Sequence, residues 1–473
     1  MHNQNEAFLH LNDALPADIA RRRDMGDLAG ALRLIDARLS SGVQPLLAPR
    51  LEAERLRLTR LPYDYPYTRP EAVALVRAEW PGFTEAQFDA LLDGGRIDWR
   101  MVDGELRVHR EFLESLRIYP KEAPGLVHEA VDNAERDAVL ARMEREGSLT
   151  ARITLKASIR ALVPVAGQEV QAWLPLPAAC PPAEQYLSCW TAPRRGWPRP
   201  EYAPQRTMWW KTNGVGEFSV TYRYLFRAEY TAPMSLSLEL AQPDFDLEEQ
   251  PPHIVFTPYL RALAARLTEG CANPAEKAKA IYDYVTGQVD YRYQPAYLQL
   301  DCIADQCAKT LRGDCGVFAL LFITLCRIAG IPAPVAERAG RPARRVGPHD
   351  WAMFYLAPPR LAVGGLLLRL LRPPQRGGRP PGPLLRQPGP LADGSQFRLP
   401  GPPDAPHARL AARPLRQPVR RADGGRPRAG RPRAGVGATS CWISPCCNGT
   451  ICKKRLWNIP EALCLFEKVY VYK

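Results

Sequence analysis

The 473-residue chain lacks several features that would fix its class at once. No charged stretch leading into an apolar one opens it, because Met1-His-Asn-Gln-Asn-Glu6 is polar. No apolar run approaches the ~20 residues of a membrane-spanning helix, and Leu366–Leu371 is short and broken by Arg369. These absences predict a soluble, cytoplasmic protein with no membrane partner. A glycine-rich phosphate loop is missing, and so is any alternation of aromatic with basic residues. Of the twelve cysteines, seven precede residue 330 without the spacing of a disulfide framework, which suits a reducing compartment. Cys302 and Cys307 stand wider apart than the Cys-x-x-Cys pairs that zinc sites favour, so no metal site is expected there.

Charge of one sign is missing from one segment only. The formal net charge is +13, yet residues 359–440 hold sixteen Arg, three Asp, no Lys and no Glu, so this segment accounts for the whole excess. A nucleic-acid partner is therefore not predicted despite the basic tail. The same segment has no Ile, Tyr, Cys, Met or Trp, and the switch follows abruptly on Phe354-Tyr-Leu-Ala-Pro358. We read it as a change of reading frame in a GC-rich gene. A genuine disordered tail or an Arg/Pro-rich interaction segment is the alternative. Cys441, Cys446, Cys447 and Cys452 lie beyond it and are read as part of the altered C-terminus rather than as a metal or disulfide cluster.

What is present centres on Arg312-Gly-Asp-Cys-Gly316, followed by an apolar run to Ala329 and the stop Gly330-Ile-Pro332. This spells a turn, a cysteine at a helix start, and a helix apolar nearly all round that belongs in a core. Cys315 then sits where backbone N–H groups are unpaired and the helix dipole is positive, conditions that favour thiolate over thiol. Cys326, in mid-helix, reads as an ordinary core residue. Asp314 reads as the helix cap. Gly347-Pro-His-Asp-Trp-Ala-Met-Phe-Tyr355 reads as a strand that places His349 where an imidazole could take the thiol proton.

In the Gly-Asp-Cys-Gly turn, the Leu325-Cys-Arg-Ile-Ala-Gly-Ile-Pro-Ala333 run and the His349-Asp-Trp-Ala-Met-Phe-Tyr355 strand, the chain resembles the transglutaminase-like superfamily, relatives of papain-type cysteine peptidases. The resemblance covers about residues 250–357. It implies an α+β core in which the cysteine helix packs on an antiparallel sheet, with Cys315 as nucleophile, His349 as general base and the Cys315 backbone N–H as one oxyanion donor. Tyr291, Tyr293 and Gln306 are candidates for the second donor. The family's third member, an acid on the next strand, has no counterpart, because that stretch is Arg/Pro/Gly-rich. Asp350 is not read as that acid, since neighbouring strand side chains point to opposite faces. Loss of an orienting acid costs about 10⁴-fold in turnover in the Ser-His-Asp hydrolases, so impaired activity is expected.

Elsewhere the chain divides into a mainly helical N-terminal region (1–148), a β-rich, sandwich-like domain (149–246), the core (250–357) and the tail (358–473). In the first, Leu28, Leu32, Ile35 and Leu39 mark a helix, Thr84-Glu-Ala-Gln87 a capping box, and Asp103-Gly104 a hairpin turn. A further helix is expected over 125–145. In the second, Ile153, Leu155, Ala157 and Ile159 alternate with polar residues, as do Phe218, Val220, Tyr222 and Tyr224. Trp209 and Trp210 read as core aromatics rather than as a groove. Acyl transfer from a peptide or protein carboxamide through a Cys315 thioester is the expected chemistry, with water or an amine as acceptor and no cofactor. The rival is a non-catalytic peptide- or protein-binding module with a degenerate core.

Overall fold

A computed structural model describes residues 10–118, 123, 125–126, 134–161, 165–176, 184–200, 206–229, 242–340, 347–357, 360–364, 418–422, 439–442, 464–465 and 470–471. Within the strands some side chains, those of His349 and Trp351 among them, lie outside the description. The fold mixes helix and strand throughout, as the α+β reading requires.

The N-terminal region opens with helices α1 (Ala17–Asp24), α2 (Leu28–Ser41) and α3 (Ala48–Asp64). Asp27 caps α2 by accepting the Gly30 N–H, and Gly42 ends it with φ 84°. Then come β1 (Tyr67–Thr68), α4 (Arg69–Glu79) and α5 (Glu85–Asp93). Both α4 and α5 carry capping boxes, the second at Thr84 and Gln87 as the sequence predicts. Strands β2 (Trp99–Val102) and β3 (Glu105–Val108) form the expected hairpin, with Asp103 (φ 48°) and Gly104 (φ 89°) supplying its left-handed turn. After α6 (Phe112–Ile118), helix α7 (Ala134–Glu146) is the described part of the helix expected over 125–145; residues 127–133 lie outside the description.

A β-sandwich follows. The long strands β4 (Ser148–Ala161) and β9 (Glu217–Glu229) pair antiparallel in one sheet with β6 (Glu184–Thr191). Strand β5 (Glu169–Pro175) pairs with β8 (Thr207–Asn213) in the other, which β7 (Trp197–Pro198) edges. Leu155, Ile159 and Val220 from the first sheet meet Val170, Leu174 and Trp210 from the second in one apolar cluster. Trp210 is fully buried, as read, while Trp209 is half-buried and stacks on exposed Trp197 with ring centroids 5.2 Å apart.

The core packs α8 (Pro258–Leu267), α9 (Pro274–Gln288) and α10 (Ile303–Thr310) around α11 (Cys315–Ile328). Thr257 and Asn273 cap α8 and α9 ahead of first-turn prolines. Every residue from Cys315 to Arg327 is buried, so α11 is the core's axis. Strands β12 (Val335–Gly340), β13 (Gly347–Leu356) and β14 (Arg360–Gly364) form the antiparallel sheet laid against it. Ala352, Phe354 and Leu356 of β13 join the same cluster as α11, and Phe354 meets Phe322 edge-on at 5.7 Å. Burying such Phe and Leu side chains, at ~1.5–3 kcal/mol each, is what holds helix to sheet.

Beyond Pro358 the description covers five short pieces. They are extended and paired: β14 on β13, Pro418–Ala422 on β5, Thr439–Trp442 on Pro418–Ala422, and Cys464–Leu465 and Tyr470–Val471 on β4. A ladder needs only backbone N–H and C=O groups, so sequence poor in β formers can still occupy a sheet edge.

The candidate active site

The site is built from the turn before α11. Strand β10 (Asp290–Tyr291) runs parallel to β11 (Arg312–Gly313), with the Asp290 N–H donating to Leu311 O (2.8 Å) and the Arg292 N–H to Gly313 O (2.7 Å). Leu311 takes φ 53°, a left-handed conformation that turns the chain out of α10 into β11. Asp314 then adopts extended backbone and accepts the Val317 N–H at 3.2 Å, which caps α11 as the sequence reading holds. The buried Tyr297 hydroxyl donates to the same carboxylate oxygen.

Cys315 therefore opens the helix, at the positive end of its dipole. It is only 3 % exposed, but its surroundings are polar on one side. Its thiol donates to Asp350 Oδ2 across 3.8 Å. Gly316 is required here: a Cβ at that position would fall within 3.0 Å of both the Tyr297 hydroxyl and the Asp350 carboxylate.

Asp350 lies on the face of β13 that carries Ala352, Phe354 and Leu356, which is the face against α11. Counting back by twos from those buried residues would have found it, and the role of Tyr297 had no such signal. His349 stands one position earlier, opposite Arg338 in the ladder. Its side chain is outside the description, so the Cys315–His349 pair belongs with the proposals below. The expected strand order nevertheless holds: β12 and β13 are antiparallel neighbours and β13 packs on α11.

The other residues singled out fall elsewhere. Tyr291 and Tyr293 are buried, Tyr291 meeting Phe318 at 6.1 Å, and Gln306 lines a cleft beside Val317. Cys326 is fully buried, and burial pushes its thiol well above the ordinary value. Burial likewise raises Cys307 and, less strongly, the half-buried Cys302. All three are thereby held as neutral thiols at pH 7. Cys271, Cys302, Cys307, Cys315 and Cys326 form no disulfide. Among the described residues no three His, Cys, Asp or Glu side chains converge to hold a metal, and no helix is long and apolar enough to cross a membrane.

Residues 261–361 match the transglutaminase-like superfamily, and the match ends three residues after the compositional switch at Pro358. Among solved structures, the chain is similar to a candidate cysteine protease from Cytophaga hutchinsonii (17 % identity, 46 % of this chain and 78 % of that one, TM-score 0.37). It is also similar to the periplasmic domain of TgpA from Pseudomonas aeruginosa (13 % identity, 49 % of this chain and 91 % of that one, TM-score 0.25). No curated protein matches. Residues 261–361, from α8 into β14, match the core of the transglutaminase-like superfamily.

Proposed function

We propose that the chain is a cysteine acyl-transfer enzyme. Cys315 is the nucleophile and His349 the general base that removes the thiol proton and later protonates the leaving amine. The Cys315 sulfur attacks a peptide or protein carboxamide carbonyl, the C–N bond breaks, and an amine leaves with the proton from His349. The resulting thioester passes to water, giving peptidase or amidase activity, or to an amine, giving transamidation. The Cys315 backbone N–H at the helix start is one donor to the developing oxyanion. The observation that carries this reading is the position of Cys315 as the first residue of a capped, buried helix whose start faces β13, the strand that bears His349.

One observation favours the other reading, a peptide- or protein-binding module without catalysis. The Cys315 thiol donates to a carboxylate, Asp350 Oδ2, and a neighbouring anion disfavours a thiolate. Iodoacetamide labelling of the native chain near neutral pH separates the two. The enzyme reading predicts that Cys315 reacts much faster than Cys326 and that His349→Ala removes the difference. Equal, slow labelling of both cysteines supports the binding module and ends the catalytic proposal.

A further inference from the structure

Beside the first turn of α11, the N-terminal region and the core enclose a cleft of about 40 Å³. Asp98 and Arg100 line it from the β2–β3 hairpin side, Arg292 and Arg312 from β10 and β11, and Gln306 from α10. Three guanidinium groups thus face one carboxylate. That carboxylate is already engaged: Asp98 accepts from Arg100 Nη1 at 3.1 Å and from the Tyr65 hydroxyl at 2.8 Å.

Arg292 and Arg312 are held differently. Each gives one N–H to a backbone carbonyl at the end of α5, Arg292 to Gly95 and Arg312 to Gly94. Among the described ion pairs neither has a carboxylate partner. Arg292 is only 9 % exposed, and its Nε is buried with no hydrogen-bond partner. Burial pulls its pKa down to about 10; Asp98 opposes this, while Arg312 and Arg96 push the same way. A buried guanidinium without an anion is costly, and its fork is matched in shape to a planar or tetrahedral oxyanion. A void of about 40 Å³ admits roughly three water-sized atoms, at ~10–15 Å³ each, which is the size of a carboxylate or phosphoryl head.

We propose that this cleft binds a small oxyanion, the carboxylate or phosphoryl group of a soluble ligand, between Arg292 and Arg312. The ligand would act on the cysteine turn. Arg312 lies three residues before Cys315, and the Arg292 N–H bonds Gly313. An occupant that fixes both arginines therefore steadies the segment that presents the sulfur. The proposal stands whether or not Cys315 is a nucleophile.

The test is thermal unfolding of the full chain in inorganic phosphate, in sodium acetate and in sodium chloride at matched ionic strength, with calorimetric titration of whichever anion shifts Tm. A saturable rise in phosphate or acetate beyond that in chloride is expected. Phosphate alone identifies a phosphoryl ligand, and acetate identifies a carboxylate. Arg292→Gln and the more exposed Arg312→Gln should each weaken binding at least tenfold. Should Arg292→Gln fail to fold, Arg312→Gln decides. Shifts no larger than those in chloride, or an undiminished shift in Arg312→Gln, overturn the proposal.

Discussion

The Asp314–Tyr297 pair is the joint on which the cysteine helix hangs, and its removal has a calculable cost. Asp314 accepts the Val317 N–H and the Tyr297 hydroxyl on the same oxygen, and both residues are buried. Asp314→Ala deletes a helix cap, worth about 1 kcal/mol. It also strips this acceptor from a buried hydroxyl, which costs about 1–3 kcal/mol more. The expected total is about 2–4 kcal/mol. Asp314→Asn keeps an acceptor oxygen and should cost under about 1 kcal/mol. Tyr297→Phe removes the donor but leaves the cap, at about 1 kcal/mol. In the double variant the shared bond is lost only once, so the effects should fall short of additive by about 1 kcal/mol. Urea unfolding gives these values, and hydrogen exchange over residues 315–320 localises them to the first turn of α11. Equal losses in Asp314→Ala and Asp314→Asn, or strict additivity, would refute the reasoning.

Three further outcomes follow from particular contacts. Gly316→Ala should lose about 1–2 kcal/mol through overpacking against Tyr297 and Asp350, although alanine is favoured over glycine in a helix by about 1 kcal/mol; urea unfolding reads the sign. Arg57→Met should cost about 1–3 kcal/mol, because it breaks a contact to Glu54 (3.3 Å), which keeps Arg50 (2.9 Å), and the bonds to Asp301 (2.7 Å) and Gln299 O (2.9 Å) that dock α3 on the core. Limited proteolysis should then release the N-terminal region. Burial pulls the His109 pKa below 6.5, with Asp98, Glu111 and Asp64 opposing. The unfolded chain therefore takes up a proton near pH 6.5 while the folded chain does not, and stability falls as pH drops through that point. Unfolding at pH 7.5 and 5.5 should show this loss, and His109→Gln should flatten it.

Much of the core was legible because its signals are local. Thr257, Asn273 and Asp314 each sit just ahead of a helix whose first turn they cap, and Gly330 (φ 78°) ends α11 where its position suggests. The continuous apolar run in α11 told of burial on every side. The acidic stretch 242–252 is pinned to the core, where buried Arg327 bonds the Glu248 carbonyl at 2.7 Å and the Ala333 carbonyl at 2.9 Å. That contact, like Arg57 to Asp301 across 244 positions, depends on tertiary closure and leaves no periodic trace. At the site, the alternation along β13 had a consequence that was missed. The face shared with Ala352 and Phe354 is the one that meets Cys315, so a carboxylate touches the sulfur. The Tyr297 contact to Asp314 spans seventeen residues through a 3₁₀ turn at Tyr297–Gln299, and no spacing rule anticipates it.

The most direct test of the nucleophile claim is an ultraviolet titration of thiolate absorbance in the native chain, taken as the difference between wild type and Cys315→Ser. The account predicts that Cys315 ionises well below the ordinary thiol value of about 8.5 and that His349→Ala moves the transition upward. A transition at or above the ordinary value, unchanged by His349→Ala, would contradict it.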